Sequence, residues 1–325
     1  MNGLDTHPPL IAIVGPTASG KSTLGVWLAE RFGGEIVSCD STQLYRGLDI
    51  GTAKPTAEER RGVPHHLLDV LGMDDVATAG GYREMALQVL KDLRQRNRMP
   101  IFTVGTGMYL RALLEGLADV PQRSENLRKR LRASAQRHPD GHLHRLLRRM
   151  DASAATKIAA RDEQKLIRTI EVCLLARKPV SQVYRSGRVP LEGWRSIKIG
   201  LMPERGKLYE RIHARTDAML AKGWMREVEE LLAGGIKEDT KPFDFIGYRE
   251  LRAVLRGETS LDEARLAIQQ TTRHYAKRQI TWFRREVNIQ WFNGFGDDVA
   301  MQEKTAAWLT EQELRESSHG SKEAI

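Results

Sequence analysis

Leu10-Ile11-Ala12-Ile13-Val14 runs without a break into Gly15-Pro16-Thr17-Ala18-Ser19-Gly20-Lys21-Ser22. The first five residues are apolar and β-rich, as a strand buried in a parallel sheet requires. The next eight match G-x-x-x-x-G-K-[ST] in full. Glycines in such a loop let backbone N–H groups approach phosphate oxygens, and a helix opening behind the loop adds a favourable dipole. Lys21 brings a mobile positive charge, and Ser22 brings a hydroxyl suited to Mg2+. A strand before and a helix after separate this motif from a chance Gly-rich turn. Residues 15–22 are therefore read as a phosphate cradle, with ATP, GTP and a non-nucleotide diphosphate all open as occupants.

Outward from the loop, the pattern alternates between strand and helix. Leu24, Trp27, Leu28 and Phe32 share one face of a helix over Thr23 to Phe32, and Gly33-Gly34 ends it. A strand is expected at Glu35 to Cys39, a helix at Gly81 to Asn97 and a strand at Ile101 to Val104. This alternation predicts a three-layer α/β core with right-handed crossovers. Strands return at Ile197 to Leu201 and Val287 to Phe292, with helical stretches near 205–234, 245–256 and 261–286 between them. The polar stretch Ser317 to Ile325 is expected to be disordered.

Between the two halves the character changes. Residues 123–149 hold nine Lys or Arg against Glu125 and Asp140, a local excess of +7 in a chain whose formal net charge is +9. The spacing over 121–189 is helical, which suggests a basic helical insertion suited to a polyanion such as RNA. The domains are therefore 1–120 with 190–325 as the core and 121–189 as the insertion. The remaining composition narrows the class. Apolar residues make up 41% of the 325, enough for a sizeable core. Two cysteines, Cys39 and Cys173, exclude a disulfide framework and fit a reducing cytoplasm. No leader peptide, transmembrane helix or internal repeat is read.

Chemistry gathers at strand ends. Asp40-Ser41-Thr42-Gln43 follows the second strand, and ligands in open α/β sheets bind beyond the carboxyl ends of strands. An aspartate there is ionised at neutral pH and can take a proton or hold Mg2+, although it can equally cap a turn. Gly105-Thr106-Gly107 ends the third strand in the same way. His65-His66 lacks further spaced ligands and is not read as a metal site. A buried strand cysteine such as Cys39 is given no chemistry.

Together these motifs resemble the tRNA dimethylallyltransferase family, also called tRNA isopentenylpyrophosphate transferase, of the MiaA type. The residues that carry the resemblance are 15–22, Asp-Ser-Thr-Gln-Leu-Tyr at 40–45, Asp-Ile-Gly-Thr-Ala-Lys-Pro at 49–55 and His-His-Leu-Leu-Asp at 65–69. Gly-Thr-Gly-Met-Tyr-Leu-Arg-Ala-Leu at 105–113, Ile-Gly-Tyr-Arg-Glu at 246–250 and Tyr-Ala-Lys-Arg-Gln-Ile-Thr-Trp-Phe at 275–283 complete it. Val104 and Ala152 depart from a usual glycine and proline.

The resemblance implies an α/β fold, a P-loop NTPase-like parallel sheet core flanked by helices, with a helical insertion domain. It implies transfer of a dimethylallyl group from dimethylallyl diphosphate to N6 of the adenosine 3′ of the anticodon, with Mg2+ required. Gly15, Pro16, Thr17, Ala18, Ser19, Gly20, Lys21 and Ser22 then hold the donor's diphosphate, with Ser22 on the metal. Asp40 matches the general base, Thr17 and Thr106 match positions at the donor or reacting centre, and Arg215 matches an arginine reaching the pyrophosphate. Asp40, Ser41, Thr42, Gln43 and Thr106 match positions that contact tRNA, with Gln43 suited to a base edge. Arg128 and the stretch Gln164, Lys165, Leu166, Ile167, Arg168 match a second set, facing the anticodon stem-loop. A cytoplasmic monomer is expected. A P-loop small-molecule kinase and an adenine-nucleotide prenyltransferase are the alternatives.

Overall fold

The computed structural model describes residues 7–184 and 187–320, with side chains described as far as Gln312. The leader reading rests partly on residues 1–6, and the tail reading partly on 321–325; both segments lie outside the described residues. Six strands form one sheet: β1 (Pro9–Val14), β2 (Gly34–Cys39), β3 (His65–His66), β4 (Met99–Val104), β5 (Arg195–Leu201) and β6 (Ile289–Phe292). Their order is β3-β2-β4-β1-β5-β6, and every pairing is parallel. Parallel neighbours need crossovers, so helices lie between them in sequence and bury the strands. Five of the six residues of β1 are buried, and all six of β2.

The helix Lys21–Phe32 starts at Gly20, φ +84°, and ends at Gly33, φ +64°, whose N–H bonds the carbonyl of Ala29. Both caps need a left-handed backbone, which glycine adopts without a Cβ clash. Leu24 and Leu28, one turn apart, pack with Ile11, Ile13, Ile36, Ile101, Ile199 and Phe292 in the main core.

The chain divides into two compact units, 1–114 with 192–325 and 115–191. Among the described residues, the second unit carries the helices Glu125–Arg137, His142–Met150, Ala152–Ala155, Glu163–Ala176 and Val180–Val183, around Leu131, Leu143, Leu147, Leu166, Ile167 and Ile170. Asp151 caps the short third helix through the N–H of Ala154 and also receives the N–H of Ser181. Burial would raise its pKa, but these bonds and that of the Ser153 hydroxyl hold it below the usual carboxylate range.

Several boundaries differ from the sequence reading. The stretch 205–234 is two helices, Arg205–Ala221 and Trp224–Ala233, broken where Gly223 takes φ +100°. The strand β3 and the helix Gly107–Glu115 go unread in the sequence, one being two residues long and the other sitting behind a Gly-Thr-Gly turn. The last helix, Val299–Gly320, takes in Ser317 to Gly320, the described part of the segment expected to be disordered. Among the described residues, no helix is long and apolar enough to cross a membrane.

Candidate active site

The pairings β2–β4 and β4–β1 set three strand ends side by side, so the phosphate loop, Asp40 and Gly105-Thr106 share one rim. The helices Arg205–Ala221 and Leu261–Phe283 supply the facing wall. The cleft is about 670 Å³, and Thr17, Lys21, Asp40, Gly105, Arg215 and Gln279 are among its lining. All of these residues belong to the first compact unit.

The loop itself is tightly wound. A Cβ on Gly15 would meet the carbonyl of Leu201 at 2.8 Å, so only glycine fits. Ala18 takes φ +64°, a left-handed conformation costing a non-glycine residue about 1 kcal/mol or more. Lys21 folds back over the loop, its Nζ donating to the carbonyls of Gly15 (3.1 Å) and Pro16 (2.8 Å). Burial pushes the Lys21 ammonium down to about 7; Asp40 opposes that shift and Arg215 adds to it. Arg215 reaches across with Nη2 donating to the Thr17 hydroxyl at 2.6 Å. Burial lowers the Arg215 pKa, and Asp40 opposes the change. The three expected partners Thr17, Lys21 and Arg215 thus converge.

Asp40 Oδ1 accepts from the Thr42 N–H (2.8 Å) and the Thr42 hydroxyl (2.7 Å), an Asx turn that fixes the carboxylate. Its Oδ2 lies against Gly105, where any Cβ would collide with it. Thr106 ties two loops together: its hydroxyl accepts from the Ser41 N–H (3.0 Å) and donates to the Ser41 hydroxyl (3.2 Å). Gln43 is turned inward. Its Oε1 accepts from Ser38 Oγ (2.9 Å), and its Nε2 donates to the carbonyls of Thr52 and Ala53 (3.2 Å each). The amide suited to a base edge is occupied in fastening the loop 40–53. Ser22 stands exposed in the cleft beside Lys21.

In the second unit the structure corrects part of the expected RNA-contacting set. Arg128 is buried, and its guanidinium grips Glu171, with Nε to Oε1 at 3.0 Å and Nη2 to Oε2 at 2.8 Å. Its charge is spent inside the helices. Leu166 and Ile167 are 1% and 3% exposed and belong to the core. Arg168 also donates to Glu171 (2.7 Å), and Lys165 pairs with Asp162 (2.7 Å). Gln164 is exposed, as are Lys129, Arg130, Arg132, Arg148 and Arg149. Burial would raise the Glu171 pKa, but Arg128, Arg168 and the Ser124 N–H together bring it down to about 2.

Two uncharged residues of the cleft wall lie inside the 275–283 run, yet its chemistry gives them no role. Tyr275 and Gln279, one turn apart on the helix Leu261–Phe283, both donate to the Gly105 carbonyl, at 3.0 and 2.8 Å. Charge singles out Lys277 and Arg278 in this run, yet its uncharged members hold the site together. A charged residue that the sequence reading also passes over, Glu227, accepts the N–H groups of Asp49, Ile50 and Gly51 and the Tyr248 hydroxyl, pinning another loop of the cleft wall. Trp282 lies under the Arg111 guanidinium, 4.6 Å from the ring centroid, and Phe283 is core. His66 contacts Glu35 at 2.7 Å; among the described residues no cluster of three or more His, Cys, Asp or Glu is suited to a metal.

With this geometry in hand, known proteins can be set beside the chain. The family model for IPP transferase matches residues 43–286. A tRNA dimethylallyltransferase of Koribacter versatilis is 52% identical over 301 residues, covering 91% of this chain and 96% of the relative. One from Solibacter usitatus is 48% identical over 295 residues, again covering 91% and 96%. The crystal structure of the full-length tRNA isopentenylpyrophosphate transferase of Bacillus halodurans superposes with a TM-score of 0.70 at 35% identity, covering 96% of this chain and 98% of that one. A parallel six-stranded sheet with a phosphate loop after its first strand, and relatives of this identity along nearly the whole length, lead to one conclusion: the chain belongs to the IPP transferase family.

Proposed function

We propose that this protein transfers the dimethylallyl group of dimethylallyl diphosphate to N6 of the adenosine 3′ of the anticodon in tRNA, releasing pyrophosphate. The relatives named tRNA dimethylallyltransferase support the activity. The structural observation that carries the reading is one cleft in which a carboxylate, Asp40, faces a cationic phosphate cradle made by Lys21 and Arg215.

The chemistry follows from that pairing. Departure of pyrophosphate leaves negative charge on oxygen and allyl-cation character on carbon. Lys21, Arg215 and the N–H groups of the loop stabilise the leaving oxygens. The exocyclic amine of adenine is a weak nucleophile, and Asp40 takes its proton as the new C–N bond forms. Thr17, already bonded to Arg215, orients the diphosphate from the loop side. The target adenine must leave its stack to reach the cleft.

Ser22 is the residue that would hold Mg2+. Its exposed hydroxyl beside Lys21, with no carboxylate cage among the described residues, fits an ion carried mostly by the diphosphate. Such an ion supplies charge neutralisation at the leaving group. The exposed arginines of the helical unit serve the anticodon stem-loop. A cytoplasmic monomer is the form proposed, its two free, buried cysteines fitting a reducing compartment.

The test uses purified protein, labelled dimethylallyl diphosphate, Mg2+ and either tRNA or AMP. Label in tRNA is expected. Label in AMP alone would transfer the protein to nucleotide prenylation, and phosphate transfer from ATP without prenylation would make it a kinase.

A further inference from the structure

One buried amide joins the two halves of the cleft. Gln279 is 5% exposed on the helix Leu261–Phe283. Its Oε1 accepts the Thr17 N–H at 2.7 Å, and its Nε2 donates to the Gly105 carbonyl at 2.8 Å. The partners settle which way the amide lies, because Thr17 offers only a donor here and Gly105 only an acceptor. Thr17 belongs to the phosphate loop and receives Arg215; Gly105 abuts the Asp40 carboxylate. Through one side chain, the donor loop is tied to the base.

We propose that Gln279 is a positioning residue that sets the distance between the diphosphate loop at Thr17 and the Asp40 carboxylate. The inference rests on the roles given to those two groups under the proposed function. Transfer requires the reacting carbon and the adenine nitrogen to meet near 3 Å, and a misplacement of about 1 Å can cost ~100-fold in rate. A side chain whose amide is bonded to both loops controls that separation.

Amide chemistry gives a specific test. Gln279→Met keeps the volume and removes both hydrogen bonds. Gln279→Glu keeps the acceptor, and only its protonated form can still donate to the Gly105 carbonyl. Burial raises the pKa of such a carboxyl, so mild acid should restore the original bonding pattern. Single-turnover transfer from labelled dimethylallyl diphosphate to tRNA isolates the chemical step. Gln279→Met is expected to be ~10–100-fold slower than wild type with tRNA affinity unchanged. Gln279→Glu is expected to be comparably slow near about pH 8, with its rate relative to wild type rising severalfold toward about pH 6. A Gln279→Met rate within about twofold of wild type, or a flat Gln279→Glu ratio, overturns the proposal. Should Gln279→Met not fold, the Gln279→Glu ratio decides alone, since it compares one folded protein with itself across pH. Failure of the functional reading would show separately, as wild-type protein that transfers no prenyl group.

Discussion

Replacing Arg128 by Met tests whether the basic insertion spends this charge on RNA or on itself. Arg128 is 8% exposed and Glu171 is fully buried, and the two meet in a bidentate pair. Removing one partner of a buried pair costs about 3–5 kcal/mol, because the other charge is left uncompensated. Glu171 would keep Arg168 at 2.7 Å and the Ser124 N–H at 2.7 Å, which argues for the lower end. Linkage gives a second estimate. A carboxyl held at about 2, against an unfolded value of about 4.3, contributes about 3 kcal/mol at neutral pH, an upper limit for Arg128 because Arg168 and the Ser124 N–H share the shift. The folded pKa is depressed, so this stability is present above about pH 4.3 and fades as pH falls toward 2. Urea unfolding with hydrogen exchange over Glu163–Ala176 should show a loss of about 3 kcal/mol in Arg128→Met at neutral pH, shrinking in acid. tRNA binding, measured where the variant is folded, should keep its dependence on salt. Wild-type stability combined with a salt slope reduced by about one phosphate contact would refute the reasoning and return Arg128 to the RNA surface.

Charge reversal at the exposed Arg130 and Arg132 should do the opposite, leaving stability within about 0.5 kcal/mol and flattening the salt dependence of tRNA binding. Asp40→Asn is expected to lower turnover about 10²–10⁴-fold while tRNA still binds; an unchanged single-turnover rate would remove Asp40 as base. Lys21 sits at about 7 in the free enzyme, so kcat/KM for the donor should fall as pH rises above 7 and the ammonium is lost. Lys21→Arg should abolish that descending limb in the same profile. Gly105→Ala, whose methyl would strike the Asp40 carboxylate, should slow transfer while circular dichroism shows the fold intact.

The core was legible because its signals are local. An apolar run before a glycine loop states both strand and cradle, and periodicity places Asp40 and Thr106 at strand ends, while the roles expected of them come from the family resemblance. The far wall was less legible. Thr17 and Gln279 are 262 residues apart, and nothing local in either announces the bond between them. The inward turn of Gln43 is of the same kind, since it depends on where Thr52 and Ala53 bring their carbonyls. β3 pairs only two residues, too few for any alternation to register.

The insertion shows a different failure, and one that sequence could have avoided. Counting charge over 123–149 treats every arginine as a surface group. Yet Leu127, Leu131 and Ala135, at successive turns of the helix Glu125–Arg137, pack on the second core. Arg128 precedes Leu131 by three residues, which places it on that apolar face. Glu171 stands likewise beside Ile167 and Ile170 on the buried face of the helix Glu163–Ala176. A charge at an apolar-face position must find an opposite charge when the face is buried, because an isolated one costs several kcal/mol to desolvate. Reading face before charge therefore pairs Arg128 with Glu171 and removes it from the docking surface. What remains for the proposed RNA contact is the outward set, Lys129, Arg130 and Arg132 with Arg148 and Arg149, which are exposed in the fold. The excess that drew attention to the insertion is thus a sum of two kinds of cation, and only the outward kind can release counterions from a phosphate backbone.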